Sequence, residues 1–232
     1  MPPEIQRRPT FASNVALQEI ESEQNSYAVV WRAEPRISLV YHAWSWAINL
    51  LFGLLGGLLL LLLLPLFALC ISLDSRGPIF YTQERLGHFG RPFRIYKFRS
   101  MRVDAEPDGR PVWAVRGDGR VTRVGHVLRL THLDELPQVV NVLQGHMSLI
   151  GPRPEREVFA ARLEHLCPLY RQRLIVKPGV TGWAQVKYGY GAQSSELHKL
   201  QYDLEYIQRR SIRFDIAILA KTILEILTLR GR

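Results

Sequence analysis

A mainly helical α+β protein, built from one membrane element and a compact domain with a small β-hairpin and amphipathic helices, is the fold class the sequence predicts. Three observations carry it. Residues 37–73 contain no Asp, Glu, Lys or Arg. Two short aromatic-rich runs follow, joined by Gly87, Gly90 and Pro92. Helical spacing of apolar residues then recurs through most of the C-terminal half.

The chain has 232 residues, 47% apolar and 10% aromatic, which suits one ordinary domain plus an appendage and excludes a disordered protein. Its formal charge of +9 is unevenly placed. Residues 1–36 carry four Arg against five Glu, whereas Arg76 to Arg129 holds twelve Lys or Arg against five Asp or Glu. That second stretch favours anionic partners: phosphates, anionic lipid headgroups or nucleic acid. Cys70 and Cys167 match neither a Cys-x-x-Cys nor a zinc spacing, which suits a reducing, cytosol-facing location.

Taken in order, residues 1–35 hold Pro2, Pro3, Pro9, Pro35 and scattered charges without a sustained period, and read as a flexible arm. Residues 36–73 are the membrane element. A span needs about 20 apolar residues, and the leucine-rich centre satisfies that. The run starts too far in, and is too long, for a signal peptide. Trp44 and Trp46 stand at its start, where amphipathic rings favour an interface. Pro65 follows seven consecutive leucines and predicts a kink. Residue physics alone leaves a spanning helix and a re-entrant hairpin both open.

Residues 74–232 form the compact domain. Asp74 to Pro78 is a turn, and Ile79–Gln83 with Phe93–Phe98 make the hairpin. Residues 104–120, rich in Gly, Pro, Asp and Arg, are a loop. Helices are expected over 121–130, 134–143, 155–174, 197–208 and 214–229, with a turn and a short extended piece at 178–186. In the last helix Ile216, Leu219, Ala220, Ile223 and Leu227 form one apolar face, which suits either core packing or a membrane interface.

The chemistry centres on Leu133-Asp134-Glu135-Leu136-Pro137-Gln138. An isolated Asp-Glu-x-Pro reads first as a helix start, with Asp134 as cap and Pro137 in the first turn. Two adjacent carboxylates can also divide labour, one holding Mg²⁺ with substrate phosphates and the other attacking phosphorus. Arg129 lies upstream, where it offsets the repulsion between carboxylate and phosphate. Lys97 and Arg99 alternate with apolar residues and share one face of a strand, which also fits a solvated edge strand. Arg153 stands between Pro152 and Pro154, in a plain turn or as a pre-restricted guanidinium.

Taken together, and in this order, these motifs resemble the bacterial sugar transferases, the monotopic phosphoglycosyl transferases. The resemblance rests on Gln83-Glu84-Arg85-Leu86-Gly87, Lys97-Phe98-Arg99-Ser100-Met101, Leu128-Arg129 and Leu133 to Gln138. It continues through Met147 to Pro154 and Pro178 to Val186, and covers about residues 40–230. It implies transfer of a sugar 1-phosphate from a UDP-sugar to undecaprenyl phosphate with release of UMP, an early step of exopolysaccharide or related glycan assembly. It assigns Asp134 as covalent nucleophile and Glu135 as Mg²⁺ ligand, with Asp134 beside it. Lys97, Arg99, Arg129, Arg153 and Lys177 are the implied phosphate-binding cations, and Asp203, in Tyr202-Asp203-Leu204-Glu205, is a further site candidate. The resemblance also raises the re-entrant hairpin, broken at Pro65, above the spanning helix. The catalytic domain then faces the cytoplasm at the bacterial inner membrane. Partners implied are membrane lipid and downstream glycosyltransferases, and a homodimer stays open.

Some residues depart from the family pattern. Asp118-Gly119-Arg120 stands where relatives often have Asp-Pro-Arg, and Lys177 where some have Arg. The chain reads as close to a minimal catalytic unit with a short arm. Tyr188-Gly189-Tyr190-Gly191-Ala192 resembles a stretch of exopolysaccharide transferases and hints at glucose or galactose. A membrane-anchored nucleic-acid-binding protein is the rival for the basic stretch, but no recognition-helix, zinc-finger or RNA-binding sheet motif supports it. A single-pass regulatory protein leaves the Asp-Glu pair without a role.

Overall fold

The computed structural model describes residues 37–106, 117–188 and 196–228. The arm expected over 1–35, the middle of the 104–120 loop and the 189–192 stretch lie outside the described residues. Helix α1 (Leu39–Asp74) comes first. Ser38 caps it, its hydroxyl accepting from the Tyr41 N–H at 3.2 Å. Its 36 residues extend about 54 Å, and it is long and apolar enough to cross a membrane. Pro65 lies inside this helix, which stays helical on both sides of it. A proline removes one helical hydrogen bond. Leu64 and Phe67, on either side of it, both pack on the domain.

The buried positions of α1, Tyr41, Gly53, Gly56, Leu60 and Ile71, recur at helical spacing, while Leu55, Leu58, Leu62 and Leu69 are exposed. One stripe of α1 therefore rests on the domain along nearly its full length. The Tyr41 hydroxyl lies 3.3 Å from that of Tyr206 and donates to Asp215 Oδ1 at 3.4 Å, and Trp44 Nε1 donates to Asp215 Oδ2 at 3.1 Å. At Gly56 the helix packs so closely on the Val139 side chain that a Cβ would lie 3.2 Å from its Cγ2. At the far end, Asp74 Oδ2 accepts from the Val124 N–H at 2.8 Å.

Strands β1 (Phe80–Leu86) and β2 (Pro92–Phe98) form the predicted hairpin, with Phe80 opposite Phe98 and Leu86 opposite Pro92. Phe98 is buried between Phe80 and Phe67, which fixes the hairpin against α1. Helix α2 (Arg123–Leu130) follows, then a 3₁₀ turn at Leu133–Glu135 and helix α3 (Gln138–Leu143). The helix expected from Asp134 thus starts at Gln138. His132 enters the turn with φ 59°, and the position before the helix is Pro137, so Asp134 makes no cap. Asn141 then replaces a missing strand partner: its Oδ1 accepts from the Tyr96 N–H at 3.0 Å and its Nδ2 donates to the Arg94 carbonyl at 2.7 Å. That pair locks α3 onto the outer edge of β2.

Strands β3 (Ser148–Ile150) and β4 (Gly179–Thr181) pair in parallel, a ladder absent from the sequence reading. A side chain on Gly179 would collide with the Gly151 backbone, so only glycine permits this approach. The helix expected over 155–174 is instead α4 (Glu157–Leu166) and a 3₁₀ segment from Pro168 to Ile175. Pro168 cannot continue the preceding turn and sets the break. Helices α5 (Trp183–Tyr188), α6 (Glu196–Arg209) and α7 (Ile212–Leu227) complete the described chain. The main core joins Leu163, Tyr170, Leu200, Leu204, Ile207 and Ile218. On α7, Ile216, Ile223 and Leu227 stay exposed, so much of the apolar face faces outward while Leu219 packs on the core.

Burial pushes the Asp215 carboxyl up to about 6, against the hydrogen bonds from Tyr41 and Trp44. An acid with a raised pKa holds its proton more tightly when folded, so stability falls as pH rises from about 4 to 6 and is flat above. Asp215→Asn is therefore expected to be more stable than the wild type at pH 8, with the advantage shrinking toward pH 4. Thermal denaturation in micelles across that range checks it.

Candidate active site

The sequence Leu-Asp-Glu-Leu folds into its 3₁₀ turn because Leu133 and Leu136 both pack on the apolar cluster under α1. The i, i+3 pair turns the intervening acids toward β2 and the 151–154 segment. Asp134 is 6% exposed and Glu135 8%. Glu135 is clamped: Lys97 Nζ lies 2.7 Å from Oε1, and Arg153 forks onto it with Nη2 2.6 Å from Oε1 and Nη1 3.3 Å from Oε2. No described side chain forms a hydrogen bond with Asp134. It feels Lys97, Arg129 and Arg153 only through space.

The two acids therefore differ electrostatically although they adjoin. Burial acts to raise the Glu135 pKa, but Arg153 and Lys97 overcome it and hold the carboxyl well below the usual carboxylate range. Burial raises Asp134, with Lys97 pulling the other way and Glu135 adding to the rise. The Lys97 ammonium is lowered by burial and held up by Glu135. One carboxylate is spent on holding cations in place, and the other keeps its lone pairs.

Arg153 is itself positioned. Arg173 donates through Nη2 to the Arg153 carbonyl at 3.0 Å and through Nη1 to the Tyr170 hydroxyl at 2.7 Å, while its Nε lies 2.9 Å from Asp203 Oδ2. Arg85 Nη1 donates to the Pro154 carbonyl at 3.3 Å. Asp203 is thus a buried partner of Arg173, which in turn holds the Arg153 segment. Arg173 and Arg85 were not singled out as site residues; Arg85 lies in the quoted Gln-Glu-Arg-Leu-Gly motif, whereas Arg173 has no local signal.

The remaining predicted cations divide. Arg129, half-buried in the last turn of α2, belongs to the field around Asp134. Arg99 does not share the site with Lys97: β2 ends at Phe98, the alternation stops, and Arg99 Nη2 donates to the Ser75 carbonyl at 2.6 Å at the end of α1. Lys177 is exposed, beside Gly145, and bonds neither carboxylate.

Among the described residues no group of three or more His, Cys, Asp or Glu is placed to hold a metal. Two adjacent carboxylates nevertheless fit the mode in which Mg²⁺ takes one or two protein oxygens and completes its shell with phosphate and water. Glu135 Oε2 has only the longer Arg153 contact, and Asp134 is open.

A buried acid pair with one member neutralised thus lies ringed by cations, beside a helix long and apolar enough to cross a membrane. The chain belongs to the bacterial sugar transferase family, whose model matches residues 40–229. It is similar to a UDP-N-acetylgalactosamine-undecaprenyl-phosphate N-acetylgalactosaminephosphotransferase of Aeromonas hydrophila, 49% identical over 162 residues, 69% of this chain and 38% of that protein. A UDP-glucose:undecaprenyl-phosphate glucose-1-phosphate transferase of Escherichia coli K12 is 44% identical over 176 residues, 73% and 38% of the two chains. An exopolysaccharide production protein of Rhizobium leguminosarum is 40% identical over 189 residues, 78% of this chain and 94% of that one. The chain spans little more than a third of the length of the first two.

Breaking a buried ion pair from one side costs about 3–5 kcal/mol. Asp203→Ala is expected to lose stability on that order, because the Arg173 guanidinium is left buried. Chemical denaturation in micelles reads it, and a loss under about 1 kcal/mol, the scale of an exposed pair, would show that the pair is not structural.

Proposed function

We propose that this protein transfers a sugar 1-phosphate from a UDP-sugar to undecaprenyl phosphate, releasing UMP, in exopolysaccharide or related glycan assembly. The supporting observation is the asymmetry of the acid pair: Glu135 clamped by Lys97 and Arg153, and Asp134 buried beside it without a hydrogen-bond partner among the described residues. Family membership and the names of the relatives support the substrate class.

In this reading an Asp134 carboxylate oxygen attacks the phosphorus bearing the sugar. The bond from that phosphorus to the bridging oxygen breaks, and UMP leaves with the electron pair. A phosphate oxygen of undecaprenyl phosphate then attacks the same phosphorus. The aspartyl bond breaks, Asp134 is regenerated as a carboxylate, and the product is an undecaprenyl diphosphate sugar. Two steps let one phosphate site serve a soluble and a membrane substrate in turn. Lys97, Arg129 and Arg153 lower the cost of bringing a carboxylate to an anionic phosphate. Glu135, with Asp134, would hold Mg²⁺, which when bound supplies further charge neutralisation at the phosphates.

The same reading places both ends of α1 on the cytoplasmic face of the inner membrane. Its support is that the domain touches α1 near both ends, at Tyr41 and at Asp74, which a helix crossing a bilayer of about 30 Å hydrocarbon thickness does not allow. A Ser38→Cys variant lacking Cys70 and Cys167 tests it. Labelling of residue 38 from the cytoplasm alone is expected, and periplasmic labelling contradicts the topology.

Asp134→Asn keeps shape and removes the nucleophile. With a UDP-sugar, the polyprenyl phosphate and Mg²⁺, UMP release is expected to fall by at least about a thousandfold, since acting without the covalent group forfeits several kcal/mol of barrier lowering. Turnover within about tenfold of wild type would remove Asp134 from the reaction.

A further inference from the structure

Where α1 leaves its apolar run, Ser75, Arg76, Arg102, Val103 and Asp104 line a cavity of about 340 Å³. That is within the size range of small-ligand sites. Its cations are separate from the Glu135 clamp. Beneath the turn lies Arg99, 5% exposed. Its Nη2 donates to the Ser75 carbonyl and hydroxyl and, at 3.4 Å, to the Ile71 carbonyl. Its Nε and Nη1 are buried without a partner among the described residues. A buried guanidinium with two idle donors is costly, and such groups in native proteins call for an explanation.

Gly77, with φ 125°, packs directly against Arg99 and Val103. A side chain there would collide with Arg99 Nη1 and with Val103. The bare glycine lets the Arg99 charge lie directly under the turn that carries Arg76. On the rim, Arg102 is held only by Asp104, at 3.7 Å in an exposed pair of the kind that costs little to open. Around this cationic mouth the surface is apolar, with Leu73, Val103 and Leu69 exposed. Cations at the end of an apolar helix, over a partly apolar cavity, match an amphiphile whose phosphate sits at headgroup depth.

We propose that this cavity binds a lipid-borne phosphate, with Arg76 and Arg102 as direct ligands and Arg99 supplying charge from below. The site is distinct from the Asp134 cluster and holds the exit of α1 at the membrane surface. The shared chemistry is a phosphate ester on a lipid, and two sources present it: a bilayer phospholipid or a polyprenyl phosphate. The binding does not require the proposed transfer reaction.

Lipid retention on the full chain in micelles, read by native mass spectrometry, tests the proposal with three probes: phosphatidylglycerol, polyprenyl phosphate and phosphate-free diacylglycerol. The wild type is expected to retain at least one of the two phospholipids and not diacylglycerol. Arg76→Gln/Arg102→Gln is expected to weaken that retention at least about tenfold, the scale of a lost charge-assisted contact. Val103→Trp, which fills the cavity and spares the charges, is expected to weaken it too. Asp134→Asn is expected to leave phosphatidylglycerol retention unchanged, which separates this site from the reaction. Loss of phosphatidylglycerol retention alone in the cavity variants assigns a bilayer lipid, and loss of polyprenyl phosphate retention alone the acceptor. Equal retention of diacylglycerol, or undiminished retention in both cavity variants, overturns the proposal.

Discussion

The contact on which the site depends is the double clamp of Lys97 and Arg153 on Glu135. Its three members come from β2, the turn before α3 and the segment after β3. Each is largely removed from water, which is unfavourable for an isolated charge and acceptable only when the set is complete. Closing the clamp therefore requires the hairpin, the turn and the parallel ladder to be in register together. It also decides the division of labour between the acids, since the cations that hold Glu135 ionised leave Asp134 adjacent and unbonded.

The scaffold around the clamp explains why it closes in one geometry. Asn141 ties α3 to the edge of β2, which sets the distance from Lys97 to the acid turn. Arg173, anchored by Asp203, and Arg85 hold the Arg153 and Pro154 carbonyls. Helix α1 enters the same framework. Asn49, a polar residue within the apolar run, accepts from Ser148 Oγ at 3.1 Å and from the Leu149 N–H at 2.7 Å. The membrane element is thereby joined to the strand that leads into Arg153, so its docking and the shape of the site are parts of one packed unit.

Much of this was legible in the sequence, for identifiable reasons. The charge-free run, the hairpin and the Asp-Glu pair are local patterns, and each appears where its residues suggested. What was not legible depends on distant partners. The β3–β4 ladder joins residues about 30 apart through three-residue strands that carry no alternation. The helix at 155–174 breaks at Pro168, a breaker visible in the sequence but outweighed there by the apolar period. Arg99 seemed equivalent to Lys97 because strand alternation was extended one residue past its end at Phe98. Asp203 was recognisable as important, but its role through Arg173 follows only from the fold.

In the proposed reaction Asp134, left free by the clamp, forms the covalent bond. Peptide mass spectrometry after rapid quenching with a UDP-sugar and Mg²⁺, with no polyprenyl phosphate present, tests it most directly. The result predicted is a sugar-phosphate adduct on the peptide containing Asp134, formed with one equivalent of UMP and discharged on adding the lipid. An adduct on another residue, or full turnover with none formed during a single-turnover time course, would contradict it.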